Sequence, residues 1–101
     1  MIFVLAGTTE GRETIKLLQQ HANQYQFDVG ASVVSTYGNQ LLQANGATFI
    51  NQGRLDRQGL RNTLIEQRVS LVVDATHPYA TEISKIAMEV TAELELSYIR
   101  L

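Results

Sequence analysis

Two short stretches gather the polar side chains that could do chemistry. "VVDATHPYA", residues 72–80, places an aspartate, a threonine, a histidine and a tyrosine within six positions, around the only proline of the chain. "AGTTEGR", residues 6–12, holds two glycines, two threonines, a glutamate and an arginine. The first set suits hydrogen bonding and proton transfer. A histidine such as His77 can donate to a cofactor or act as an acid, and Asp74 is expensive to bury unless the Thr76 hydroxyl or nearby backbone N–H groups satisfy it. The second set suits an anion. A glycine turn that feeds a helix leaves free N–H groups and partial positive charge at the helix N-terminus, which favours a phosphate. Gly7 permits a tight turn and close backbone approach, Thr8 and Thr9 add hydroxyl donors, and Gly11 lets the helix lie close to the strand. Glu10 and Glu13 favour the helix dipole.

Spacing tempers both readings. With Gly11 as the last glycine of G-x-G-x-x-G, Ala6 and Thr8 hold the first two glycine positions, and no lysine follows for a G-x-x-x-x-G-K-[ST] loop. A phosphate turn and a plain strand–turn–helix corner with threonine caps therefore both stay open. In the 72–80 stretch Pro78 suits a first helical turn, which makes His77 the N-cap and packs Tyr79 under the helix. A capping cluster and a ligand site are both compatible with that placement. Ser35 and Thr36 stand at the end of the second strand, where an NAD-binding domain often has an acid. Hydroxyls without an acid lean toward the 2′-phosphate of NADPH, with NADH the alternative. A Tyr-x-x-x-Lys pair fails because Ile83 stands four places after Tyr79, with Lys85 out of register. His21 and His77 are too isolated for a metal site.

The elements that must position these residues alternate. Apolar runs at 1–6, 28–35, 47–51, 70–74 and 97–101 read as strands. Helical periodicity covers 9–25, where Ile15, Leu18 and Ala22 share a face with Leu17 beside them. A short helix over 37–45 stops at Gly46. A third helix opens at Asp56, a good N-cap, with Leu55 and Leu60 as a hydrophobic staple. Ile83, Ile86, Ala87, Val90 and Leu94 mark the buried face of a fourth. Strands separated by helices imply an α/β fold: a Rossmann-like, doubly wound parallel sheet of about five strands. Right-handed crossovers favour strand order 3-2-1-4-5. Its reversal lies between the first and fourth strands, so the two polar stretches border the crevice where such folds bind ligands.

Composition sets the class. With 101 residues, 45% of them hydrophobic, the chain is one small domain with a real core rather than a disordered segment. A formal charge of −2 with mixed signs excludes a nucleic-acid footprint. There is no cysteine, hence no disulfide or thiolate site, which fits a cytoplasmic setting. The N-terminus does not read as a signal peptide, and no run approaches the ~20 apolar residues of a membrane span.

Taken in order, "GTTEGRE", "STYG", "GRLD", "VVDATHPYA" and "YIRL" resemble the precorrin-6A reductase family of cobalamin biosynthesis over essentially the whole chain. The resemblance implies NADPH- or NADH-dependent reduction of one double bond in a tetrapyrrole, metal-free or cobalt-bearing, between two Rossmann-like lobes. It implies that Gly7, Thr8, Thr9, Glu10, Arg12, Ser35 and Thr36 hold the cofactor, that Asp74, Ala75, Thr76 and His77 line the cleft, and that His77 is the candidate catalytic residue. The chain would then be one lobe, 1–101, lacking the second and inactive without it. A polycarboxylate substrate also needs cations, and Arg12, Arg54, Arg57 and Arg100 are the few on offer. The outer edge of the fifth strand invites pairing with a second copy as a homodimer. A non-catalytic, nucleotide-sensing module of the same fold is the alternative.

Overall fold

The computed structural model describes residues 1–34 and 47–101. The elements are β1 (Ile2–Ala6), α1 (Thr9–Tyr25), β2 (Val29–Val33), β3 (Phe49–Gln52), α2 (Arg57–Glu66), β4 (Leu71–Ala75), α3 (Thr81–Glu93) and β5 (Ser97–Arg100). The helix expected over 37–45 lies outside the described residues, as do Ser35, Thr36 and Gly46. All five strands are parallel in the order β3-β2-β1-β4-β5, as the alternation predicts. β1 is central, pairing Ile2 with Val29 on one side and with Leu71 on the other.

The strand period of two divides the core between the two faces of the sheet. Val4 and Ala6 point to one face, where Ile15 of α1 meets Val29, Ala31, Val33, Val73 and Ala75. Phe3 and Leu5 point to the other, against Leu60 and Leu64 of α2 and Ala87 and Val90 of α3. Leu17 departs from the expected stripe and is 58% exposed, because α1 turns only the Ile15–Leu18–Ala22 side to the sheet.

Local signals set the helix ends. The Thr8 side chain accepts from Gly11 N at 3.1 Å and starts α1. Asp56 does the same for α2 from Gly59 N at 2.7 Å, with Leu55 packed onto the cluster that contains Leu60. Arg57–Glu89 and Arg61–Glu93 pairs tie α2 to α3 on the surface. Gly11 is required by packing: a Cβ there would stand 3.0 Å from Ala6 Cα and 3.2 Å from Ala75 Cβ. Any side chain would push α1 off the β1–β4 ends and widen the gap between the two polar turns.

Candidate functional site

The turns after β1 and β4 meet at the carboxyl ends of adjacent central strands, the topological switch point of this strand order. The Ala75 carbonyl joins them, accepting from Gly7 N at 3.4 Å and from the Thr8 hydroxyl at 2.9 Å. The Thr8 hydroxyl thus donates to Ala75 and accepts from Gly11, which locks the two turns together. The amides of Thr9 and Glu10, at the first turn of α1, have no acceptor within the helix.

Two cavities flank this junction and share Thr76. The larger, about 840 Å³, lies over the ends of β1, β2 and β3 and is lined by Gly7, Ser32, Arg54, His77 and Tyr79, among others. The smaller, about 250 Å³, opens between the start of α1 and the end of β5, lined by Thr8, Glu10, Ala75, Pro78 and Arg100. The expected residues therefore divide. Gly7 and His77 border one cavity, while Thr8, Glu10 and Ala75 border the other. Arg12 lines neither, half-buried in the first turn of α1.

The second polar stretch is built differently from its expected helix start. α3 begins at Thr81 with Ala80 as an N-cap that makes no side-chain bond, so His77 is not the cap. Pro78 instead sits in a tight turn closed by Ala80 N to His77 O at 2.8 Å. The fixed φ of proline suits the second position of such a turn as well as a first helical turn. The His77 Nδ1 accepts from Tyr79 N at 3.2 Å. The Tyr79 ring stacks over His77 with centroids 4.7 Å apart and is 87% exposed, not packed under the helix. Two aromatic side chains thus stand on the crevice wall.

Asp74 is fully buried. Its Oδ1 accepts from Thr76 N at 3.1 Å, the Thr76 hydroxyl at 2.7 Å and Arg100 Nη1 at 2.7 Å. Its Oδ2 accepts from the Ser84 hydroxyl at 2.6 Å and the Tyr98 hydroxyl at 2.5 Å. Five donors on one carboxylate leave no oxygen for a ligand. Asp74 therefore positions the Thr76 turn rather than lining the cleft, since it is enclosed between β4, β5 and α3. Burial pushes its carboxyl up, but the bonds from Ser84, Tyr98 and Thr76 outweigh that and hold it below the ordinary value. Burial, and then the bond to Asp74, push the Tyr98 hydroxyl up to about 12. Thr76 was legible in the sequence as a partner. Ser84 and Tyr98, ten and twenty-four residues downstream, were not. The one available signal was an aspartate placed late in an otherwise apolar strand, which demands more partners than its own turn can supply.

Among the described residues no group of histidine, aspartate or glutamate side chains could hold a metal ion, and no helix is long and apolar enough to cross a membrane.

Comparison with known proteins adds the following. The family model for Precorrin-6x reductase CbiJ/CobK matches residues 1–101. The chain is 29% identical over 99 residues to Cobalt-precorrin-6A reductase of Methanothermobacter thermautotrophicus, covering 98% of this chain and 32% of that protein. It is 35% identical over 98 residues to Precorrin-6A reductase of Mycobacterium tuberculosis, covering 97% of this chain and 37% of that protein. A solved structure of CobK precorrin-6A reductase superposes with a TM-score of 0.77 at 26% identity, over 99% of this chain and 36% of that one. The chain spans about a third of the length of these relatives. Universal stress proteins, one from Burkholderia pseudomallei, superpose at TM-scores of 0.56 and 0.51 with 11% and 13% identity, which shows a shared fold alone.

Proposed function

Since the chain belongs to the Precorrin-6x reductase CbiJ/CobK family, we propose that it forms the nicotinamide-dinucleotide-binding wall of a reductase acting on a precorrin-6A-type tetrapyrrole. The observation that carries this reading is the crevice of about 840 Å³ at the switch point, bordered by the glycine turn and the His77 turn. Its size and position suit a cofactor. Gly7 presents no side chain to it, and the turn at Gly7 leads into the N-terminus of α1, whose partial positive charge suits the pyrophosphate. The cofactor, when bound, supplies the hydride. The residues of this chain hold and orient it, and the remaining two thirds of the length of the relatives supply the rest of the substrate site.

The reading favours NADPH. Arg54 is exposed on the crevice wall just past the end of β3, beside Val34 at the end of β2. A cation there meets a 2′-phosphate where an acid would repel it. Ser35 and Thr36, the expected contacts, continue the chain from Val34. Calorimetric titration of the chain should give tighter binding of NADPH than NADH. Arg54→Gln should weaken NADPH about tenfold and leave NADH unchanged, the loss of a charge-assisted bond. Equal affinities in the parent chain would remove the assignment.

His77 is the group placed to handle a proton. Because its Nδ1 accepts from Tyr79 N, the neutral ring carries its proton on Nε2. In a full-length relative the equivalent of His77→Ala should lower kcat by roughly a hundredfold, as loss of a proton-transfer group does. Its melting temperature should stay within a few degrees, because His77 is exposed. Unchanged turnover would return His77 to a purely local role in the turn.

A second copy pairing along the open edge of β5, where Ile99 is 49% exposed, belongs to the same reading.

A further inference from the structure

We propose that Arg100 is a carboxylate receptor, aligned by Asp74 and facing the smaller cavity, where it takes an acidic side arm of the substrate. This rests on the reading of the substrate as a polycarboxylate tetrapyrrole and deepens it.

Arg100 is the last residue of β5, and its side chain is held from one end only. Nη1 donates to Asp74 Oδ1 at 2.7 Å, to Thr76 Oγ1 at 2.7 Å and approaches Ser84 Oγ at 3.3 Å. A guanidinium has five N–H donors in a planar fork, and among the described residues only Nη1 is engaged, which leaves the Nε and Nη2 groups. The side chain is 36% exposed, whereas its partner Asp74 is fully buried. A buried carboxylate beneath an accessible guanidinium fixes the plane of the fork and leaves its outer edge for a second planar anion.

The cavity sets the size and charge of the occupant. About 250 Å³ admits a short carboxylate arm but not a dinucleotide, which the larger crevice accommodates. Glu10 stands on the wall supplied by α1, and among the described residues it makes no ion pair with Arg100. A carboxylate brings a single charge past Glu10, whereas a pyrophosphate brings two on one bridge, so the carboxylate is the better match. Thr76 belongs to both cavities, so an arm at Arg100 lies next to the reaction crevice. Anchoring a peripheral arm there would orient the ring against the His77 turn.

Uroporphyrin III, an octacarboxylate tetrapyrrole, is the probe for this cavity, followed by its fluorescence on titration with the 101-residue chain, with NADPH titrated in parallel. Arg100→Gln should weaken the porphyrin at least tenfold and leave NADPH within twofold. Arg100→Lys should not rescue it, since one ammonium cannot serve Asp74 and a planar anion together. Glu10→Gln, at an exposed position that tolerates change, should tighten the porphyrin two- to fivefold, roughly the effect of removing one solvated like charge. It keeps the test intact should the Arg100 variants lose their circular-dichroism signal. Three results overturn the proposal: no porphyrin binding by the parent chain, no effect of either the Arg100 or the Glu10 variant, or a loss confined to NADPH. Failure of NADPH to bind the parent chain counts against the cofactor reading alone, and the porphyrin arm still decides the role of Arg100.

Discussion

Asp74→Ala should lower the stability of the chain by about 3 kcal/mol, the low end for breaking a buried charge pair, because Arg100 keeps partial access to water. In a domain of this size that is on the order of 15 °C in melting temperature. The cause is the set of donors left behind. Thr76, Ser84 and Tyr98 all point hydroxyls at the carboxylate, and removing it takes away their common acceptor at a part-buried site. Asp74→Asn should rescue little, since its amide nitrogen would turn a donor toward donors. Thermal denaturation by circular dichroism reads both variants. A loss below about 1 kcal/mol in the alanine variant would show the network to be dispensable. The wild-type chain should carry the matching pH dependence. The folded-state pKa of Asp74 lies below its unfolded value, ~3.9 for a free aspartate. Its contribution is therefore complete above about pH 4 and is lost as pH falls through the folded value. Tyr98 acts in the opposite sense. Its pKa is raised to about 12, so its contribution is complete below about pH 10 and is lost as pH rises toward 12. Asp74→Asn should flatten the acid limb of stability against pH. An unchanged limb would assign it to other carboxylates.

Gly7→Val should reduce dinucleotide affinity at least a hundredfold, to beyond a calorimetric titration, while the chain stays folded. A Cβ on Gly7 would meet Thr76 Cα at 3.4 Å and His77 N at 3.5 Å, which are ordinary contacts, so the backbone tolerates a side chain. Gly7 lines the crevice, so the methyl groups of valine would take up space at the point where the glycine turn would approach the pyrophosphate. Gly7→Ala should give an intermediate loss. Gly11 supplies the contrast. Its Cβ would press on the Ala6 backbone at 3.0 Å, so Gly11→Ala should lose stability together with affinity. Full affinity in Gly7→Val would move the cofactor away from this turn.

The architecture was legible because its determinants are local and repeated. Apolar runs of strand length, an amphipathic helix over Thr9–Tyr25, the Asp56 cap and the Leu55–Leu60 staple each constrain a few neighbouring residues. Together with crossover handedness they leave few topologies, and the observed strand order is the commonest of them. The meeting of the two polar turns was legible for the same reason, since strand order alone brings them together. Helix starts were less so. Proline before "YATE" fits a turn and a helix equally well, and the choice fell to the turn once Nδ1 of His77 found the Tyr79 amide.

What the sequence by itself determined was the alternation of elements, the parallel sheet and the pairing of two polar junctions at its switch point. What only the tertiary structure decided was the division of labour between those residues. Asp74 is sealed under Ser84, Tyr98 and Arg100, Thr8 spends its hydroxyl on Ala75, and Glu10 and His77 face different cavities. The physical reason is distance along the chain. Hydrogen-bond satisfaction at one buried carboxylate draws on β4, α3 and β5 at once, and those contacts exist only after the strands have paired.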